Sequence, residues 1–446
     1  MFLSRGSWRR CLARRSRKSN AFCLCAVLVS SVLAVGQRPT GGGIPTGGRW
    51  AQLSDITSES VADTFFGRPI LAVNGSTLVT VPYVYSGNAE SAAYIYVKSA
   101  TGWSNMQLVA TLSFGAGLTG SAYSVAANSN TIAVSTATCP CPPGQSAVYV
   151  YVKPTGGWTD MTPTAVLTGS DVTANDSFGS SVALSGDTIV AGADYSNSGV
   201  GAAYLFVQPA GGWTNMTQTA KLTASDAASG DLFGYAVAAD GDTVVIGAPQ
   251  NPGSGKAYVF VQPAGGWKDT TQNAELTGSD LKYEHTSLGQ AVDVKGNIIV
   301  AGAGGQINAT NAPGAAYVYV RPGGGWANMT QTTELVADQF YEYAGFGRSV
   351  GIGDGLIAVG APDGRAGHNL GGTVSIFEKP AGGWEYKSSS ITLNGAETKF
   401  RYGFGDSISI DGREIAVAAP FYPDYVGNNH IFLFAVFPPE VSPAKK

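Results

Sequence analysis

The sequence predicts an all-β chain: a seven-bladed β-propeller of four-stranded blades, its ring closed by an N-terminal strand that serves as the outer strand of the last blade. Three observations carry this. Seven tryptophans beyond the first 36 residues, Trp50, Trp103, Trp158, Trp213, Trp267, Trp326 and Trp384, stand 53 to 59 residues apart. A phrase returns with them almost unchanged: YLFVQPAGGWTNMTQTAKLTASD from Tyr204, YVFVQPAGGWKDTTQNAELTGSD from Tyr258, YVYVRPGGGWANMTQTTELVAD from Tyr317. The composition is low in charge (13%) and holds 60 glycines in 446 residues, as many tight turns between short strands require. A catalytic motif is written once; a fixed long period marks a building unit.

Each unit contains the same four pieces. After Trp158 they are TPTAVLTGSD, an apolar-polar alternation ending in a turn, then FGSSVALSG, DTIVAGA and GAAYLFV, the last leading into a Gly-Gly-Trp turn. Glycine, aspartate or proline separates them, so each reads as a short strand. AAYLFV is apolar on both faces and needs cover on both sides. Neighbouring blades give that cover, whereas a β-sandwich array would leave such strands half exposed. If FG opens the innermost strand, the piece after each Trp is the outermost strand of the blade before. The final unit then ends at HIFLFAV with three strands, and its missing fourth is Trp50-Ala-Gln-Leu-Ser. Each Trp follows a glycine-rich turn and is expected to pack on the neighbouring blade, a burial worth up to roughly 5 kcal/mol. The alternative is a ring of sugar-stacking aromatics.

The ends of the chain read differently. Residues 1–36 carry Arg5, Arg9, Arg10, Arg14, Arg15, Arg17 and Lys18, then the apolar run Ala21 to Val35 and a small-residue site, Ala34-Val35-Gly36. This is the pattern of a cleaved signal peptide. The run is short for a bilayer span of about 20 residues, and an uncleaved anchor is the alternative. Residues 37–49 form a Gly-rich linker, 50–436 the propeller and 437–446 a C-terminal tail. No later run can span a bilayer as a helix, so no stable membrane span is expected after cleavage, and the mature chain is placed outside the cell, in a periplasm or on a surface. Removing residues 1–36 moves the formal charge from −4 to −11, which argues against nucleic acid as a partner. Only Cys139 and Cys141 remain beyond the signal, in CPCPPG. Two thiols cannot close a zinc site and a bridge across one residue is strained, so the pair reads as a loop feature, with redox or metal chemistry as the lesser reading.

Phe-Gly followed by a Gly-Ala-Pro run resembles the FG-GAP repeats of the integrin α-subunit propeller. The pairs are Phe66-Gly67, Phe178-Gly179, Phe233-Gly234, Phe346-Gly347 and Phe404-Gly405, with Leu288-Gly289 close; Gly247-Ala248-Pro249 and Gly360-Ala361-Pro362 complete the motif. Unit two departs, with Ser121-Ala122 in place of FG. The resemblance covers about residues 50–436, and the GGWTNMTQ phrase is most similar to secreted bacterial proteins of this kind. Many integrin-like repeats hold Ca²⁺ in a D-x-D-x-D-G loop between the first two strands, because the ion wants six or more oxygens. Here that turn is cut to LSGDT, ADGDT, KGNI, GDGL or DGRE, and Asp240-Gly241-Asp242 is its nearest approach. No metal and no cofactor are therefore expected.

Individuality lies in the loops between second and third strands, which share a face with the links between blades. In the integrin family partners bind this face. Tyr83, Tyr85, Tyr195, Arg365, His368, Tyr422 and Tyr425 are the candidate ligand-binding residues there, since tyrosine joins a flat ring to a hydroxyl and arginine offers a planar fork. The recurring Asp55, Asp171, Asp226, Asp280 and Asp338 close the outer strand as turn or cap residues, or else form a carboxylate ring on one face. The sequons at Asn74, Asn175, Asn215, Asn308 and Asn328 matter only in a eukaryotic secretory pathway. Catalysis has little support: His285, His368 and His430 fall in different blades, Glu284-His285 is a lone acid-base pair, and no nucleophile elbow, zinc-protease or P-loop motif occurs. The expectation is a non-catalytic adhesion or binding scaffold for an extracellular protein or glycan. A carbohydrate-binding propeller, or a polysaccharide hydrolase or lyase with a channel site, stands as the alternative.

Overall fold

A computed structural model of the chain describes residues 50–57, 66–84, 92–114, 122–136, 146–251, 254–279, 287–305, 314–337, 344–363, 371–385, 390–394, 403–420 and 430–437. Their strands form seven antiparallel sheets arranged as the blades of a propeller. From the centre outward, blade 1 is Phe66–Asn74, Thr77–Val84, Ala92–Ser99 and Gly102–Ser113; blade 2 is Ala122–Ala127, Thr131–Thr136, Ala147–Val152 and Ala165–Thr168. Blade 3 is Val182–Ser185, Thr188–Ala193, Ala202–Val207 and Ala220–Thr223; blade 4 is Ala236–Asp240, Thr243–Ala248, Lys256–Val261 and Ala274–Thr277. Blade 5 is Ala291–Lys295, Ile298–Ala303, Ala315–Val320 and Thr333–Leu335; blade 6 is Ser349–Ile352, Leu356–Ala361, Thr373–Glu378 and Ser390–Asn394. Blade 7 takes Ser407–Asp411, Glu414–Ala419 and His430–Val436 from the end of the chain and Trp50–Thr57 from its beginning. Trp50 pairs with Val436 and Thr57 with His430, so the two chain ends share one sheet and close the ring.

Two-sided apolar strands are two-sided because each blade is covered twice. Thr188–Ala193 and its counterparts Thr243–Ala248, Ile298–Ala303 and Leu356–Ala361 are buried at every position. The core is divided into seven clusters, each drawn from two adjacent blades. Every cluster holds one of the repeated tryptophans. Trp213, which follows the third strand of blade 3, lies in the cluster between blades 2 and 3, and Trp50 is partly buried between blades 6 and 7. Six of the seven expose 9% or less of their surface, which leaves no stacking face for a sugar at those six.

The Phe-Gly and Gly-Ala-Pro motifs meet across these junctions. The Phe side chains fill the cluster: Phe178 and Phe233 are fully buried, and Phe233 meets Tyr258 edge-on at 5.4 Å. The two glycines face each other. A Cβ on Gly192 in blade 3 would stand 1.9 Å from the carbonyl oxygen of Gly234 in blade 4. Gly247 and Gly289, Gly302 and Gly347, and Gly360 and Gly405 repeat the approach. Blade 2 has Ser135 at the first of these positions, and its hydroxyl donates to the Gly179 carbonyl at 2.6 Å.

The phrase after each Trp is a clasp between blades. After Trp213 the chain returns to blade 2, where Met216–Thr217 pairs in parallel with Leu167 and Thr168 as a fifth strand. Asn215 Oδ1 accepts the Val166 N–H at 2.8 Å, Gln218 Oε1 accepts the Ser170 N–H at 2.9 Å, and Gln218 Nε2 donates to Ser170 Oγ at 2.8 Å. Asp269, Thr270–Thr271 and Gln272 clasp blade 3 in the same way, and Asn328, Met329–Thr330 and Gln331 clasp blade 4. On blade 1, Met161 bridges Leu112 and Asp160 accepts the Thr111 N–H at 2.8 Å. An outer strand with bare N–H and C=O groups would template association; in blades 1 to 4 the clasp covers it.

Candidate functional site

Among the candidate ligand-binding residues, the structure describes the side chain of Tyr195 alone. Tyr83 lies in the second strand of blade 1, with its side chain outside the described residues; Tyr85, Arg365, His368, Tyr422 and Tyr425 also lie outside them. Tyr195 follows the second strand of blade 3 and is 53% exposed, the most exposed of the large hydrophobic side chains described.

Its loop is held tightly. Asn197, Ser198 and Gly199 take left-handed φ values of 50°, 60° and 80° in succession, a costly conformation for the first two that persists only when neighbours impose it. The neighbours are visible. Gly199 N–H donates back to the Tyr195 carbonyl at 3.2 Å, and Gly201 N–H to the Ser196 carbonyl at 2.9 Å. From the link between blades 3 and 4, Gly230 N–H and Leu232 N–H donate to the Gly199 carbonyl at 3.0 and 2.9 Å, and Ser229 Oγ donates to the Ser198 carbonyl at 2.8 Å. Beside Tyr195, Asn197 and Ser198 are exposed and uncharged. Beneath it, Asp194 stands where Pro249 and Pro362 stand in blades 4 and 6. It is buried, its Oδ1 has no hydrogen-bond partner, and burial pushes its carboxyl up from the usual range. Charge on the same face is found at the junction of blades 6 and 7, where Arg348 lies 3.3 Å from Asp406 and 3.6 Å from Asp363.

Two of the recurring aspartates, Asp171 and Asp226, are struts between blades. Asp171, just past the outer strand of blade 2, accepts from Tyr204 Oη at 2.8 Å and from Lys221 Nζ, both in blade 3. Burial opposes its ionisation, yet these two donors hold its carboxyl below the usual range. Asp226 repeats the arrangement with Tyr258 at 2.9 Å and Lys256 in blade 4. Burial and the Asp171 hydrogen bond push the Tyr204 phenol up to about 12. Asp55 departs from this pattern. It lies within its strand, opposite Phe432, and its Oδ1 stands 2.8 Å from Nδ1 of His430, whose ring stacks on Phe432. The register slips between Gln52 and Ser54, so Asp55 falls where Lys221 falls in blade 3. Asp280 and Asp338 lie outside the described residues, as do Cys139, Cys141, His285 and His368.

The opposite ends of the blades, the turns between first and second strands, bind one another. Asp240 Oδ2 accepts the Gly296 N–H of the next blade at 2.6 Å, Ser185 Oγ accepts the Gly241 N–H at 3.0 Å, and Asp411 accepts the Gly75 N–H. Asp354 N–H donates to the Gly412 carbonyl at 2.7 Å, and Lys295 pairs with Asp354 at 2.7 Å. Asp242 accepts from Thr243 Oγ1 at 2.9 Å. Among the described residues no group of three or more His, Cys, Asp or Glu is placed to hold a metal ion. On the inner strand of blade 5, where blades 3, 4 and 6 carry Ala183, Ala238 and Gly351, stands Asp293. Its oxygens accept the Ile352 and Val294 N–H groups at 2.7 and 2.8 Å. Burial raises its carboxyl to about 6, the backbone donors oppose the rise, and the charge of Asp240 adds to it.

Among the described residues no helix is long and apolar enough to cross a membrane. The family model described as FG-GAP repeat matches residues 161–206 and 216–260, from the outer strand of blade 2 to the third strand of blade 4. No curated protein matches the chain.

Proposed function

We propose that this FG-GAP repeat β-propeller is an exported, non-catalytic binding scaffold that recognises an extracellular protein or surface ligand through the loops joining second and third strands. The observation that carries the reading is the exposed Tyr195 on a loop fixed by hydrogen bonds to the next blade. A pre-ordered aromatic contact loses little conformational freedom on binding, and tyrosine flanked by asparagine and serine is the composition of adaptable recognition surfaces. Three of the described carboxylates serve the fold: Asp171 and Asp226 hold tyrosine and lysine, and both oxygens of Asp293 hold backbone N–H groups.

A carbohydrate ligand is the second reading, favoured by the exposed Tyr195 ring, on which a sugar face can stack, with the polar, uncharged Asn197 and Ser198 beside it. A channel-site hydrolase or lyase ranks third. Residues 1–36 act as the export signal in this reading, and the mature chain works outside the cell. The test is binding of residues 37–446 to a glycan array and to a panel of extracellular proteins, with bound glycans also examined for cleavage. Saturable binding without turnover supports the scaffold, and released product would replace it with the enzyme.

A further inference from the structure

We propose that Asn215 and Asn328 are N-glycosylation sites built into the rim clasps, each joining its side-chain Nδ2 to an oligosaccharide while its Oδ1 keeps the blades together. Both residues are exposed and head the sequence Asn-Met-Thr, with exposed Thr217 and Thr330 at the third position. The motif alone is common. What singles out these two is how the structure divides each amide. Asn215 Oδ1 accepts the Val166 N–H at 2.8 Å and Asn328 Oδ1 accepts the Glu275 N–H at 2.8 Å, whereas neither Nδ2 makes a hydrogen bond among the described residues. The clasps that lack an asparagine show that the nitrogen is dispensable. Asp160 and Asp269 occupy the same position and accept the Thr111 and Lys221 N–H groups at 2.8 and 2.7 Å with a carboxylate oxygen. The structural task needs an acceptor only, so Nδ2 is free to carry a substituent pointing away from the strand it clasps.

The donor is a lipid-linked oligosaccharide pyrophosphate. The new bond joins Nδ2 to the anomeric carbon, the bond from that carbon to the pyrophosphate oxygen breaks, the lipid pyrophosphate leaves with the electron pair, and the amide yields one proton to a base of the transferase. The glycans would stand on the rim, at the junctions of blades 2 and 3 and of blades 4 and 5, and would leave the loop face open. The inference rests on the exported reading and on export through a eukaryotic-type secretory membrane, because only there does a chain meet the transferase.

The experiment expresses the full chain in a eukaryotic secretory cell in two forms, one with its own N-terminus and one with a host secretion leader placed ahead of it. Secreted protein is treated with a peptide N-glycosidase in heavy-oxygen water, which converts a glycosylated asparagine to a labelled aspartate. The expected result is label at both Asn215 and Asn328. The double variant Asn215→Asp, Asn328→Asp should lose both glycans and melt with wild type secreted under an inhibitor of oligosaccharide transfer, which keeps both asparagines bare, since its carboxylates clasp as Asp160 and Asp269 do. Unlabelled Asn215 and Asn328 in secreted leader-bearing chain would overturn the proposal, and so would a glycosylated chain that melts well below its deglycosylated form. Failure of the native N-terminus alone to secrete, with label in the leader-bearing form, would remove the export reading and leave the two sites standing.

Discussion

Gly192 and Gly234 stand face to face across the junction of blades 3 and 4, so close that a Cβ on Gly192 would lie 1.9 Å from the Gly234 carbonyl oxygen. Backbone is the obstacle, and it cannot swing aside as a side chain would. Gly192→Ala should therefore destabilise the protein by about 3 kcal/mol or more through forced separation of two blades. Gly211→Ala is the control, because nothing lies within 4 Å of its Cβ position. Denaturant unfolding of both variants checks this; equal midpoints would mean that the glycine contact does not set the blade spacing.

The clasps predict a graded effect. Gln218→Ala removes two hydrogen bonds to Ser170, one of them to its N–H, at an exposed site. The expected loss is about 1 kcal/mol. Gln272→Ala, one junction on, removes the matching bonds to Ser225 and a third from Nε2 to Glu275 at 3.1 Å, and should cost somewhat more, with near-additivity in the double variant because the sites share no partner. Asn215→Asp should be neutral where Asn215→Ala is not. Chemical denaturation of the five variants measures all of this.

Much of this architecture was legible in the sequence, for a physical reason. Blade contacts recur with the repeat, so Phe-Gly, Gly-Ala-Pro and Gly-Gly-Trp recur with them and reveal strand order, blade number and the ring closure at Trp50. What the clasp does was less legible, although Ser170, Ser225 and Ser279 accompany Gln218, Gln272 and Gln331 in every copy; pairs 47 to 52 residues apart show their contact only once the chain is seen to double back. Asp55 misled for the opposite reason. It matches Asp171 and Asp226 in the letters, but the slip between Gln52 and Ser54 moves it to another register position. Tyr195 is a candidate by its place in a variable loop; the left-handed run that fixes that loop carries no marker beyond Asn-Ser-Gly.

Asp293 predicts a pH dependence. Its carboxyl is raised from 3.8 to about 6 in the folded protein, chiefly by burial, so the folded state binds this proton more tightly than the unfolded chain does. Its contribution to stability is complete below the unfolded value and is lost as pH rises through the folded one. Asp293→Asn removes the titration. The unfolding free energy of the variant relative to wild type should climb by up to about 3 kcal/mol between pH 4 and pH 7 and level off above. A difference that stays constant across that window would show that Asp293 titrates normally.

The turns between first and second strands predict indifference to calcium. Asp240 and Asp242 already accept from Gly296 and Thr243, and two carboxylates fall short of the six or more oxygens the ion wants. Melting curves with a chelator and with millimolar calcium should superimpose. A rise in melting temperature with calcium would point to an ion site that the shortened turns do not supply.

The most direct measurement is the affinity of residues 37–446 and of the Tyr195→Ala variant for the ligand selected on the array or panel. The expected result is binding weakened about tenfold or more, as for the loss of an aromatic anchor, with melting temperature unchanged because the side chain is exposed. Equal affinity for the two proteins would contradict recognition through this loop face.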